Sequence, residues 1–235
     1  MMRWILNSCF LLLTFFAFAQ DETTLKDTTA VKIDSLYRED QFYVSFTYNR
    51  ILEAPEGFDQ QKFSVGISGG FVRDMPLNKR RNIAFATGLG FTYNNYFQNL
   101  TIEKFGDSKI YHISDYNDFD RNKFSNFLLD VPLEFRWRSS TAQTYRFWRV
   151  YSGLKFSYLL FDASVLKNAL GKNKIKNNPD FNDFQYGVYL GAGFNTWNFY
   201  GYYGLNTLFK KGLQTTDGQN INIRALNFGI IFYIL

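Results

Sequence analysis

The sequence predicts an all-β chain: an eight-stranded antiparallel transmembrane β-barrel that follows a cleaved signal peptide. Three observations carry this. A short apolar run opens the chain behind a single arginine, apolar residues then recur at every second position in eight separate stretches, and the segments between those stretches alternate between long and short.

The opening run has the parts of an export signal. Arg3 gives a positive start, Trp4 to Phe18 is mostly apolar, and Ala17-Phe18-Ala19 before Gln20 puts small residues at both cleavage positions. A signal peptide over residues 1–19 follows, and the run is shorter than the ~20 residues an uncleaved spanning helix needs. Cys9, the single cysteine, lies inside this run and leaves with it. The mature chain then has no thiol, which excludes disulfides, thiolate catalysis and cysteine metal sites. Residues 20–41, rich in Asp, Thr and Lys, read as a flexible periplasmic tail, and residues 42–235 as the barrel. No Pro-, Gly- or Ser-rich linker divides them, so one folded unit is expected.

Composition agrees with a membrane setting. Aromatics make up 20% of the chain, with 27 Phe and 16 Tyr, a proportion that suits a barrel whose outer wall meets lipid and its interfaces. The formal net charge of +5 is scattered and too small for a nucleic-acid surface. Outer-membrane lipids are therefore the expected partners, with no nucleic acid.

The strands follow in order. Phe42, Val44, Phe46 and Tyr48 alternate with Tyr43, Ser45, Thr47 and Asn49, so the first strand has one greasy and one polar face. The second carries Phe63, Val65, Ile67 and Phe71, and the third Ile83, Phe85, Leu89, Phe91 and Tyr93. Phe127, Leu129, Val131, Leu133, Phe135 and Trp137 form the fourth, and Trp148, Val150, Leu154, Phe156, Tyr158 and Leu160 the fifth. The sixth carries Phe184, Tyr186, Val188, Leu190 and Phe194. The seventh, near Phe199 to Phe209, is ambiguous in facing, and the eighth carries Leu226, Phe228, Ile230, Phe232 and Ile234. An even count is what bacterial barrels require.

Long segments fall at residues 52–61, 98–122, 162–183 and 210–220, and shorter ones at 74–81, 139–146 and 195–198. Membrane barrels alternate in this way, with long outer loops and short periplasmic turns. The expected location is the cell outer membrane with both termini periplasmic. Trp137, Trp148 and Trp197 all map to the short-turn ends, where an indole can be half buried at the membrane interface. A soluble barrel would turn the greasy face inward instead, and alternation alone does not choose between the two.

With the greasy face outward, the lumen receives Asp130, Glu134, Arg136 and Arg138 from the fourth strand and Arg149, Tyr151 and Lys155 from the fifth. Eight strands leave an interior that side chains fill, so a plug of ion pairs is expected. If Trp137 faces Trp148, the register sets Asp130 opposite Lys155 and Glu134 opposite Tyr151, one step from Arg149. Pro132 removes a ladder donor and suggests a local bulge.

Other chemistry is thinly supported. His112, the single histidine, has Ser114 and Asp115 nearby, but a strand-like loop puts near neighbours on different faces, so a lipid- or peptide-hydrolysing site is a distant alternative and no catalytic residue is assigned. Asp115, Asp118 and Asp120 lack a full cation-loop pattern. Neither a cofactor nor a metal ligand set is expected. Lys167, Lys172, Lys174 and Lys176 either contact lipopolysaccharide phosphates or keep their loop solvated. Asn227, Gly229, Phe232 and Ile234 match the polar, glycine, hydrophobic, hydrophobic spacing of a terminal strand read by the barrel assembly machinery, although the chain ends on Leu235 rather than an aromatic.

Four segments carry a wider likeness: Tyr37-Arg38-Glu39-Asp40-Gln41-Phe42-Tyr43; Arg73-Asp74-Met75-Pro76-Leu77-Asn78-Lys79-Arg80-Arg81-Asn82; Val131-Pro132-Leu133-Glu134-Phe135-Arg136-Trp137-Arg138; and Tyr203-Gly204-Leu205-Asn206. In these the chain resembles the PorT-like (SprT) outer-membrane β-barrel proteins of Bacteroidetes, part of a wider family of small barrels. The resemblance implies a non-enzymatic role in type IX protein secretion and, in gliding bacteria, motility, with secretion components as partners. Asp27-Thr28-Thr29 and Asp34-Ser35-Leu36 are similar to O-glycosylation sites of the same phylum. The basic turn Lys79, Arg80 and Arg81 is the candidate docking element, facing an acidic partner or inner-leaflet phosphates. A generic porin-like or structural barrel is the competing reading.

Overall fold

The computed structural model describes residues 40–78, 80–106, 108–139 and 148–234. The expected signal peptide, most of the expected tail with its glycosylation motifs, and Lys79 lie outside these residues. Among the described residues eleven strands occur in chain order: β1 (Asp40–Leu52), β2 (Val65–Pro76), β3 (Ile83–Phe97), β4 (Leu100–Phe105), β5 (Ser108–Ile113), β6 (Arg121–Arg138), β7 (Trp148–Asn168), β8 (Gly171–Lys176), β9 (Phe184–Phe194), β10 (Trp197–Gly204) and β11 (Arg224–Ile234).

Eight of them close a barrel. The ladder runs β6-β3-β2-β1-β11-β10-β9-β7, and β7 pairs back onto β6, so every barrel strand has two antiparallel neighbours. Closure leaves no exposed ladder along the wall, the condition for strands to cross lipid. The remaining strands decorate one end. β4 and β5 form a hairpin in the second long loop, and β8 pairs with the far end of β7.

The facing follows the alternation. Phe42, Phe46, Leu89, Phe135, Leu190 and Phe199 stand exposed on the outer wall, whereas Gln41, Tyr43, Ser45, Asn49 and Asp130 are buried inside. The greasy face is therefore outward, as a lipid-facing wall requires and a soluble barrel does not. The seventh barrel strand is resolved as β10, with Trp197 and Phe199 outward and Asn198 and Tyr202 inward; it starts at Trp197 because the turn before it is tighter than the sequence suggested. At ~3.3 Å per residue and ~40° tilt, β7 rises about 33 Å from Trp148 to Phe161, enough to cross the ~30 Å hydrocarbon core of a bilayer.

Two expectations about β6 and β7 are corrected. Trp137 faces Val150, not Trp148; Asp130 faces Ser157 rather than Lys155; and Glu134 faces Gly153 rather than Tyr151. Trp148 is held instead by Ser139, whose N–H donates to its carbonyl at 3.0 Å and whose Oγ accepts its N–H at 3.0 Å. The slip is two residues, an even number, so every side chain keeps its face while changing its neighbours. No bulge forms at Pro132. The β6–β7 register runs through it unbroken and shifts only between Phe127 and Leu128. The β3–β6 register also keeps step across Pro132, where the missing N–H costs a bond without adding a residue.

The long loops fold together over their end of the barrel. Phe181 stacks on Phe209 at 4.2 Å, Phe124 meets both rings, and Tyr111 meets Phe209 edge-on. Leu100, Ile102, Leu208, Ile221 and Ile223 complete a buried apolar cluster. Polar ties link the loops: Glu56 N–H donates to Gln219 at 2.6 Å, Asp59 N–H to Asn99 at 2.8 Å, and Thr216 N–H to the Tyr111 carbonyl at 2.8 Å. The loop end is a structured cap over a buried apolar cluster, while Asp115, Asp118, Asp120, Lys167, Lys172, Lys174 and Lys176 stay exposed on it.

Candidate functional site: the charged lumen

The inward residues of β6 and β7 meet those of β1, β2 and β11 in two layers. The first lies near the short-turn end. Its centre is Arg136, which is fully buried and donates from Nη1 to Asp74 at 2.6 Å and to Gln41 at 2.9 Å, and from Nε to Glu134 at 2.5 Å. Arg138 reaches the other oxygen of Asp74 at 3.3 Å and donates from Nε to the Arg81 carbonyl at 2.9 Å. The guanidinium of Arg136 lies over the rings of Tyr233 at 5.0 Å and Tyr151 at 5.7 Å, and that of Arg149 over Tyr233 at 4.7 Å. Charges this deep are tolerable because oxygens and aromatic faces replace the lost water.

The second layer is centred on Asp130, six residues before Arg136 in β6 and nearer the loop end. Asp130 accepts from Ser157 at 2.6 Å and from Thr92, and Lys155 approaches it to 3.6 Å. The diagonal reach across the shifted register is what brings Lys155 to Asp130 despite their not being opposite. Lys155 also sits 4.4 Å from the centre of the Tyr202 ring. Ser45 and Ser68 hydrogen bond on the facing wall. A void of about 20 Å³ lies among Tyr43, Asp130, Glu134 and Lys155, room for about one water.

Tyrosine fills the remaining space by lying over glycine. A Cβ on Gly90 would meet the Tyr43 hydroxyl at 2.1 Å, and one on Gly191 the Tyr151 ring at the same distance; one on Gly187 would meet Tyr202 at 2.6 Å. In each case the glycine faces inward; Tyr151 and Tyr202 lean over it from the paired strand, and Tyr43 reaches Gly90 from β1 across Gly70 of β2.

Sequence reasoning placed Asp130, Glu134, Arg136, Arg138, Arg149 and Lys155 in the lumen, and all six are buried. It assigned Asp74 to a turn and Gln41 to the tail, and both are lumen ligands of Arg136. Continuing the inward series Gly70, Val72 would have reached Asp74, but Arg73 on the outward side, paired with Asp40 at 2.6 Å, reverses the usual polarity there and hides the pattern. Trp137, Trp148 and Trp197 stand at the short-turn end with exposed rings. Trp148 meets Phe194 at 5.5 Å and Trp197 meets Phe232 at 4.5 Å. In the basic turn, Arg80 is exposed and Arg81 adopts a left-handed backbone with φ 56°.

The loop residues do not converge on a reaction centre. His112 lies 3.9 Å from Glu103, while Ser114 is hydrogen bonded to Thr101 at 3.0 Å. Asp120 pairs with Lys167 at 2.9 Å, which holds its carboxyl below the usual range, and Asp118 closes a single 3-10 turn with Asp115. Among the described residues no group of His, Cys, Asp and Glu has the arrangement of a metal site.

A family model described as an outer membrane protein β-barrel domain matches residues 18–210. Among solved structures, Ail, the attachment invasion locus protein of Yersinia pestis, is similar at 11% identity over 82% of this chain and 97% of Ail, with a TM-score of 0.31. A mutant porin of Rh. blastica is similar at 8% identity over 84% of this chain and 100% of the porin, with a TM-score of 0.21. No curated protein matches the chain.

Proposed function

As the chain belongs to the outer membrane protein β-barrel family, we propose that it is a non-enzymatic scaffold of the outer membrane that supports type IX protein secretion, with its termini and short turns on the periplasmic side. One observation carries the reading. Three of the four segments that resemble PorT-like proteins converge on a single feature, the Arg136 layer. The first supplies Gln41, the second supplies Asp74 and the Arg81 carbonyl, and the third supplies Glu134, Arg136 and Arg138. The fourth closes the loop end of β9 and β10, where Asn206 accepts the Tyr186 N–H at 2.9 Å and donates to the Phe184 carbonyl at 2.8 Å.

A lumen filled in two layers and capped at one end suits a rigid platform better than a conduit. The tie from Arg138 to the Arg81 carbonyl fixes the first short turn to the plug, so that Arg80 is presented from a rigid base. In this reading that basic turn docks an acidic partner or inner-leaflet phosphates.

The test is a clean deletion with complementation, scoring type IX cargo in the medium and the protein in the outer membrane. Lost secretion that returns with the gene supports the proposal. Normal secretion would leave the second reading, a structural barrel with no secretion role. The triple variant K79Q/R80Q/R81Q is expected to reduce secretion while the barrel still folds; unchanged secretion would remove the docking element.

A further inference from the structure

From the outer face of the β6–β7–β8 extension we infer a binding surface for the phosphate groups of anionic lipids in the leaflet at the loop end. The single-residue shift between Phe127 and Leu128 decides which side chains form this face. Beyond it Phe161, Ala163, Val165 and Lys167 of β7 share the outer side, Ala163 being covered by its neighbours and Lys167 exposed, and each ladder pairs them in rows. The first row is Ser125, Ala163 and Lys176. The second is Lys123, Val165 and Lys174, and the third is Arg121, Lys167 and Lys172. Six cations thus share one surface, continuous with the lipid-facing wall that ends at Phe127 and Phe161.

Depth matches the ligand. Counted from Phe161 at ~3.3 Å per residue and ~40° tilt, the rows stand roughly 5, 10 and 15 Å beyond the aromatic edge. The polar headgroup zone occupies about 5–8 Å on each side of the hydrocarbon core, and lysine stems let the higher rows reach back toward it. Orientation is fixed from beneath, because Leu166 is buried and Ile175 packs against the apolar cap. The ribbon cannot roll its lysines to another environment without exposing that underside.

The charges are also arranged against the interests of the fold. Like charges directly opposite across a ladder destabilise it, and the third row sets three side by side. Asp120 relieves Lys167 at 2.9 Å. Arg121, Lys172, Lys174 and Lys176 have no ion pair among the described residues, and Lys123 rests 5.5 Å from the Phe97 ring centre. An external anion layer would offset this repulsion, and the leaflet beside the ribbon is where one would lie. The inference rests on membrane insertion alone and is independent of a secretion role.

The experiment uses the full chain folded in maltoside micelles and titrated with bisphosphorylated lipid A, retained lipid being counted by native mass spectrometry. Heat-modifiable gel mobility confirms that each variant is folded. The wild type is expected to retain the lipid, and K167Q/K172Q/K174Q/K176Q to bind it about tenfold or more weakly. Lipid A stripped of its phosphates should bind the wild type no better than the variant binds the intact lipid. Equal retention by variant and wild type would overturn the inference. So would equal binding of the stripped lipid, which would mean acyl-chain contact alone, and so would full displacement by equimolar inorganic phosphate, which would mean a free-anion site.

Discussion

Asp74 and Arg136, 62 positions apart in the chain, meet at 2.6 Å inside the barrel, each side chain 1% exposed. Asp74 also faces Arg138, so one carboxylate neutralises charge from two guanidiniums. Replacing it with Asn keeps the shape and removes the charge, leaving Arg136 to Glu134 and Gln41. Breaking a buried pair on one side typically costs about 3–5 kcal/mol. Asp74→Asn should therefore lose about that much stability in urea unfolding from micelles. Adding Arg136→Met together with Glu134→Gln should recover part of it, because the guanidinium and the carboxylate that pairs with it are then removed together and neither leaves a buried charge alone. A loss below ~1 kcal/mol would mean that the pair is not closed in the membrane.

The strands were legible because each barrel strand has two unlike faces, and period-two alternation is a direct record of that. Phe184 to Phe194 was read without error at either end for this reason. Partners were less legible than faces. The Trp137 to Val150 register depends on the turn that joins β6 to β7, and an even slip leaves no trace in the pattern. The hairpin β4–β5 was hidden for a different reason: Leu100, Ile102 and Tyr111 serve the cap, whose members include Phe181, Phe209 and Ile221, more than sixty residues away. Long-range convergence of this kind has no local signature.

Conduction tests the plug directly. The Arg136 and Asp130 layers block the lumen independently, so planar bilayers containing the folded wild type should show no stepwise current. The single variant Asp74→Asn should stay silent as well, since the Asp130 layer is untouched. Discrete openings in the wild type would show that the charged layers part, and would move the protein to the porin-like reading.

Tyr111 ties the second loop to the third. Its hydroxyl donates to Asp180 at 2.6 Å and accepts from Asn178 at 2.9 Å. Burial raises the phenol's pKa well above the ordinary 10.0, so the neutral, donating form is the one that stabilises the cap. That contribution is complete below the unfolded value and is lost as pH rises through the folded one. Tyr111→Phe should weaken the cap by about 1–3 kcal/mol, read as faster amide exchange in residues 100–113 and 178–183 with the barrel strands unchanged. Exchange that is unaltered in those segments would show that the aromatic contacts hold the cap alone.

Trp137, Trp148 and Trp197 share the short-turn end, so their fluorescence reports one depth. In vesicles with brominated acyl chains, quenching should be strongest for bromine near the headgroups and weakest near the bilayer centre, and Trp197→Phe should lower the signal without changing that order. Strongest quenching at mid-bilayer would place this end of the wall deeper than an interfacial belt.

Gly191 tests whether the tyrosine layer is set by the glycine beneath it. A Cβ there would lie 2.1 Å from the Tyr151 ring, closer than any packing allows. The ring has little room to yield, being 1% exposed and held between Tyr189 at 6.4 Å and Tyr233 at 5.8 Å. Displacing it would also disturb Arg136, which lies 5.7 Å from its centre. Gly191→Ala should thus cost about 1–3 kcal/mol as overpacking, although alanine ordinarily suits a strand better than glycine. Combined with Tyr151→Leu, the same alanine should cost far less, because the atom it strikes is gone. A double-mutant cycle in urea would show a coupling of about 1 kcal/mol or more if the ring is the obstacle. Additive losses would mean instead that the backbone at Gly191 is the sensitive feature, and that Tyr151 moves freely over it.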